Sequence, residues 1–118
     1  MQHYQGSCHC NAITFAFDAD PIEKGLRCNC SICVRKGALM SPFVLHSDQL
    51  KIDAKEGALG QYQFGSQVAK HYFCNHCGIY TFHETMRAPG SYRVNLGCIE
   101  GIDASTLSYD LFDGRKLI

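Results

Sequence analysis

The sequence predicts a small, mainly β protein whose antiparallel sheets are pinned together by metal-holding cysteine turns. Three observations carry this. Short segments alternate apolar and polar residues, turn-forming residues separate them at close intervals, and no stretch repeats apolar residues at helical spacing over any length. Seven of the eight cysteines fall into three tight groups, too close within each group to bridge easily as disulfides but able to converge on one ion. With 118 residues, 46% of them hydrophobic, the chain can fill one modest core in one domain spanning residues 1–118, and a domain of that size gains from a staple.

In chain order, Ile13, Phe15 and Phe17 alternate with Thr14 and Ala16, the period of a half-buried strand. Asp20-Pro21 closes that segment, and Ser31 is placed to cap a short helical turn over residues 31–36. Phe43-Val44-Leu45 is a short apolar run; after Gly57, Tyr62 and Phe64 alternate with Gln61 and Gln63. Strands are expected over residues 68–73, 79–83 and 92–96, the last with Tyr92, Val94 and Leu96 on one side. Gly65, Pro89-Gly90 and Asp113-Gly114 supply turns, and Asp103 can cap a second helical turn over residues 104–107.

Charge narrows the function classes. Eleven basic and eleven acidic side chains cancel, and Lys and Arg are scattered, so the basic stripe of a nucleic-acid binder is missing. No apolar run approaches the ~18 residues of a membrane span, and Met1-Gln2-His3-Tyr4-Gln5 does not look like a secretory leader. The expectation is a soluble cytoplasmic protein, where clustered cysteines serve metal or redox chemistry rather than a disulfide framework.

The cysteine groups are Cys8-His9-Cys10, Cys28-Asn29-Cys30-Ser31-Ile32-Cys33 and Cys74-Asn75-His76-Cys77. Cys74 and Cys77 are followed by Gly78, the C-x-x-C-G pattern of a zinc knuckle, in which glycine closes the turn and backbone N–H groups point at sulfur. A knuckle supplies two ligands. A four-coordinate site must recruit another pair, and Cys8 with Cys10 provides it. A thioredoxin-like redox pair is the rival, but it needs a βαβ setting that these strand-like surroundings do not offer. Cys28, Cys30 and Cys33 then form a three-thiolate group with one coordination position open, the arrangement of a catalytic zinc. Cys98 is an inert core thiol, a fourth ligand that closes this second site, or a reactive thiol near the metal.

Other side chains are weighed against that frame. His9 and His76 lie between ligating cysteines and should point away from the metal, whereas His46, His71 and His83 are strand histidines, each either structurally satisfied or a general base. Arg27, Arg35 and Lys36 stand near the triple group in sequence; Arg35 and Lys36 are the candidates to offset thiolate charge or hold a substrate carboxylate.

Gly6-Ser7-Cys8-His9-Cys10, Cys28-Asn29-Cys30-Ser31-Ile32-Cys33 and Phe73-Cys74-Asn75-His76-Cys77-Gly78 resemble, in order, the motifs of the glutathione-dependent formaldehyde-activating enzyme family. The likeness spans nearly the whole chain. Cys30 to Gly37, Tyr62-Gln63-Phe64 and Ala69 to Cys74 are most similar to its centromere protein V-like branch. The resemblance implies an Mss4-like fold of β-sheets, a structural zinc on Cys8, Cys10, Cys74 and Cys77, and a second zinc on Cys28, Cys30 and Cys33 where glutathione can bind. Many members carry His between the first two cysteines of the second group and Arg directly after its third; here those positions hold Asn29 and Val34, with Arg35 one place later.

Two functions are expected to compete. The first is a zinc-dependent carbon–sulfur lyase or synthase, similar to S-(hydroxymethyl)glutathione synthase, that joins a small aldehyde such as formaldehyde to a thiol such as glutathione. Three thiolates leave the zinc centre weakly electrophilic, so the metal would bind the thiol while water or a side chain protonates the carbonyl oxygen. The second is a non-catalytic two-zinc interaction or thiol-sensing module, which predicts no open position and a flat surface at the second metal.

Overall fold

The computed structural model describes residues 1–65, 69–85 and 88–116. In chain order its elements are β1 (Gln2–Ser7), β2 (Ile13–Ala19), β3 (Lys24–Cys28), α1 (Ser31–Lys36), β4 (Leu45–His46), β5 (Lys51–Ala54), β6 (Leu59–Tyr62), β7 (Lys70–Cys74), β8 (Tyr80–Glu84), β9 (Ser91–Val94) and β10 (Ser108–Phe112), with 3₁₀ turns at Leu96–Cys98 and Gly114–Lys116. The fold is mainly β, as expected. Three sheets form: β1-β2-β5, the pair β10-β3, and the five-stranded β4-β9-β8-β7-β6. The first and third are antiparallel throughout, whereas β10 and β3 run parallel, with Phe112 opposite Cys28.

The alternation in β2 does what its period requires. Ile13, Phe15, Phe17 and Ala19 are buried while Thr14 and Ala16 are half-buried. The inward face of β2 meets the five-stranded sheet, where Phe15 packs edge-on against Phe82 of β8 at 5.7 Å between ring centres. Val94, Leu96, Leu39, Leu45 and Leu50 complete one core with them. Fully burying one such side chain contributes about 1.5–3 kcal/mol, so this cluster is the main non-metal source of stability.

Several expected segments differ in detail. Phe43-Val44-Leu45 contributes strand only from Leu45 onward, although the Phe43 ring still packs on Phe17 at 6.0 Å. Phe64 lies beyond the end of β6, and strand β9 stops at Val94. There Asn95 turns the chain by accepting from the Gly97 N–H, so Leu96 enters the core from a 3₁₀ turn. Residue Val68 of the strand expected over 68–73 lies outside the described residues. The helical turn at residues 31–36 forms, but Cys30 rather than Ser31 occupies its N-cap position. Residues 104–107 make a turn rather than a helix, with Asp103 accepting from the Ser105 backbone and hydroxyl.

Candidate metal centres and the cavity beside them

Two hairpin ends build the first centre. Cys8 and Cys10 follow β1, and Asn11 (φ 66°) turns the chain in the left-handed region that asparagine tolerates better than most residues. Cys74 ends β7, and Gly78 (φ 80°) turns the chain into β8, with its N–H donating to the Cys74 carbonyl at 2.8 Å. The four sulfurs lie within 4.8 Å of one another, with Cys8 to Cys10 at 3.7 Å and Cys10 to Cys74 at 3.6 Å. A tetrahedral ion with Zn–S bonds of ~2.3 Å separates its sulfurs by ~3.8 Å. The donor set therefore fits zinc in both number and spacing.

The backbone prepares these sulfurs for negative charge. The Ile13 N–H donates to Cys8 Sγ at 3.3 Å, and the His76 and Cys77 N–H groups donate to Cys74 Sγ at 3.3 and 3.4 Å. The Cys77 thiol is drawn down to about 6, chiefly by the Ile79 backbone N–H. His9 and His76 are exposed and take no place in the sulfur cluster.

The second centre is assembled on a strand end and one helical turn. β3, paired to β10, delivers Cys28; Cys30 precedes α1, and Cys33 sits within it. Their three sulfurs again lie within 4.8 Å of one another, and among the described residues no fourth Cys, His, Asp or Glu joins them. Gly114 presses on this group: a Cβ there would stand 2.5 Å from Cys28 Sγ. Asn29 ties the same C-terminal segment down, donating to Asp113 Oδ1 and accepting from the Arg115 N–H, both at 2.9 Å.

Cys98 does not close this centre. It is half-buried against the core, its Sγ 3.7 Å from the Tyr80 carbonyl, and its thiol is pushed up to about 11 by burial and by the charge of Cys8 and Cys77. It stands beside the four-cysteine group instead, which overturns its reading as a fourth ligand of the second.

Cys28, Cys30 and Cys33 line a cavity of about 380 Å³. Its walls are largely apolar, from Leu26, Ile32, Ala38, Met40, Phe64 and Phe112, and its polar groups include Lys36, His71, His83, Thr85 and Arg93. The two candidate cations separate here. Lys36, one turn after Cys33, lines the cavity; Arg35 is exposed, donates back to the Ser31 carbonyl at 2.8 Å, and does not line it. Burial pushes Lys36 down, against the charges of the three cysteines, and pushes Cys33 up to about 12, against the charge of Lys36. Arg27 donates to the Gly37 carbonyl and covers the Tyr109 ring.

Sequence reasoning left His71 and His83 undecided and missed Tyr80. The two histidines are register partners on β7 and β8, both buried and both lining the cavity. Tyr80 joins them because the register shifts between Tyr72 and Phe73: Phe82 pairs with Tyr72 but Tyr80 pairs with Phe73, leaving Thr81 as the bulged residue. Simple alternation would send Tyr80 to the core side with Phe82; the bulge turns it to the histidine side. His46 is exposed, with Nδ1 3.3 Å from Ser91 Oγ.

Comparison with known proteins agrees with this geometry. The solved structures similar to the chain include a crystal structure of a Rhodobacter sphaeroides protein, 33% identical, which superposes with a TM-score of 0.79 over 90% of this chain and 99% of that one. The family model described as "Glutathione-dependent formaldehyde-activating enzyme" matches residues 3–113. Two sets of converging thiols and a match over nearly the whole length place the chain in one family: it belongs to the glutathione-dependent formaldehyde-activating enzymes.

Proposed function

We propose that the protein is a zinc-dependent carbon–sulfur lyase or synthase that condenses a small aldehyde with a thiol such as glutathione. The observation that carries this is the opening of the Cys28, Cys30 and Cys33 group onto a cavity. A closed interaction module has no use for three converging thiols at the wall of a largely apolar cavity. A zinc ion held there would keep a fourth position at which a thiol binds as thiolate near neutral pH.

The chain's own residues then do the rest. Lys36 offsets the negative charge gathered by three thiolates, and the largely apolar walls give room to a small aldehyde beside them. In the overall reaction the thiol gives up its proton, a carbon–sulfur bond forms, the carbonyl π pair moves to oxygen, and that oxygen gains a proton. The product is an S-hydroxymethyl adduct when the aldehyde is formaldehyde. Arg35, exposed on the far side of its helical turn, would meet a thiol's carboxylate only outside the cavity. The four-cysteine centre holds the fold, and cysteines that bind metal rather than pair as disulfides suit a reducing cytoplasm. Among the described residues no helix is long and apolar enough to cross a membrane.

The test is adduct formation from glutathione and formaldehyde, followed by NMR against the uncatalysed rate. Wild type should accelerate it, and Cys30→Ala, with the four-cysteine centre still loaded, should not. Normal turnover by Cys30→Ala would refute the mechanism.

A further inference from the structure

Three nitrogen atoms crowd one phenolic oxygen beside the cavity. Tyr80 Oη lies 3.0 Å from Lys36 Nζ, 2.7 Å from His71 Nδ1 and 2.9 Å from His83 Nδ1. A phenol has one proton to give and two lone pairs with which to accept. With three nitrogen partners it therefore donates to one and accepts from the other two. The ammonium of Lys36 cannot accept, so the recipient is an imidazole. A neutral imidazole that accepts at Nδ1 carries its proton on Nε2.

The distances indicate which ring this is. The contact with His71 is the shortest of the three, as a bond donated by O–H is beside those donated by N–H, which leaves Lys36 Nζ and a protonated His83 Nδ1 as the two donors to the phenolic oxygen. Burial and the charge of Lys36 hold His71 down to about 4, so near pH 7 the ring is neutral and its tautomer matters. Phe64 stacks on the same ring at 6.0 Å and fixes its plane.

We infer that Tyr80 is a positioning residue, which locks His71 in the Nε2–H tautomer so that this N–H donates to the aldehyde oxygen in the cavity shared with Cys28, Cys30 and Cys33. The inference rests on the function proposed above and supplies the polar group which that reaction needs at oxygen. As the carbon–sulfur bond forms, the carbonyl pair moves onto oxygen and the growing charge meets the fixed N–H. The proton that completes the hydroxyl is the one the thiol released, returned through water. His71 keeps its own.

The experiment reads the tautomer directly. In zinc-loaded protein carrying ¹⁵N-labelled histidine, long-range ¹H–¹⁵N correlation should show His71 with a bare Nδ1 and a protonated Nε2 at pH 7. Tyr80→Phe should average the two nitrogens and lower kcat for adduct formation about ten- to a hundredfold. Its KM for glutathione should stay within about twofold, since thiol binding does not use this group. Protonated Nδ1 on His71 in wild type overturns the inference even if the variant fails to fold, and so does unchanged kcat in a folded Tyr80→Phe. If wild type itself shows no acceleration, the proposed function fails, and with it the donor role at the aldehyde oxygen, whatever the tautomer.

Discussion

Removing metal should unfold this protein through one centre and not the other, because the two close very different loops. The four-cysteine centre joins Cys10 to Cys74, 64 residues apart in sequence. Treated as a cross-link, a loop of about 65 residues removes about 4 kcal/mol of chain entropy from the unfolded state. Cys28 and Cys33 are five positions apart, so the second centre constrains almost nothing beyond one turn. Against total stabilities of about 5–15 kcal/mol, the first term is large. The perturbation is Cys8→Ser, nearly isosteric at a buried position and able to keep the Ile13 N–H bonded. Urea unfolding would be followed for wild type and variant, each with zinc and with chelator, so that packing loss cancels between the paired differences. Chelation should cost wild type about 4 kcal/mol or more and the variant much less, while Cys28→Ser should behave like wild type. If chelation destabilises wild type and Cys8→Ser equally, the centre is not the staple.

Gly114→Ala should lower zinc affinity at the second centre while sparing the first, since its Cβ would sit 2.5 Å from Cys28 Sγ; metal content falling from two ions toward one per chain is the readout. Asn29→Ala removes both bonds to the C-terminal segment and should cost about 1–3 kcal/mol, with faster amide exchange over residues 112–116. Lys36→Met should reduce adduct formation about tenfold or more with the fold retained, as judged by kinetics and circular dichroism. His71 should not titrate between pH 8 and 5. Its folded value of about 4 lies below the ordinary 6.5, so the unfolded chain takes the proton first and stability falls as pH drops from about 6.5 to about 4; flat imidazole shifts above pH 5 are the check.

The parts legible in the sequence are those with a local signature. The C-x-x-C-G turn, the alternation of Ile13, Phe15 and Phe17, and the three-cysteine loop each declare themselves within a few residues. Strands β1, β3, β5 and β10 did not. Apart from Gly6 in β1 and Gly25 in β3, each buried by close packing against a neighbouring side chain, their residues are at most half-buried, so they show no apolar period and form because a partner's ladder is available. The cavity escaped for another reason: its walls come from segments distant in sequence, with β10 running parallel to β3 and β7 setting His71 opposite His83, while the bulge at Thr81 brings Tyr80 to those histidines. Cys98 shows the limit from the other side. Position in sequence left it an inert core thiol, a fourth ligand of the second centre or a reactive thiol near that metal, and only the packing of the 3₁₀ turn after Asn95 sets it beside the first.

The central claim is that the second centre keeps a position open for a thiol. Zinc-edge X-ray absorption on protein with two ions per chain, before and after glutathione, tests it most directly. The average shell should begin near three and a half sulfurs per zinc, four at one centre and three at the other, and rise toward four when glutathione binds. An average of four sulfurs without glutathione, unchanged on its addition, would mean both centres are closed and would contradict the account.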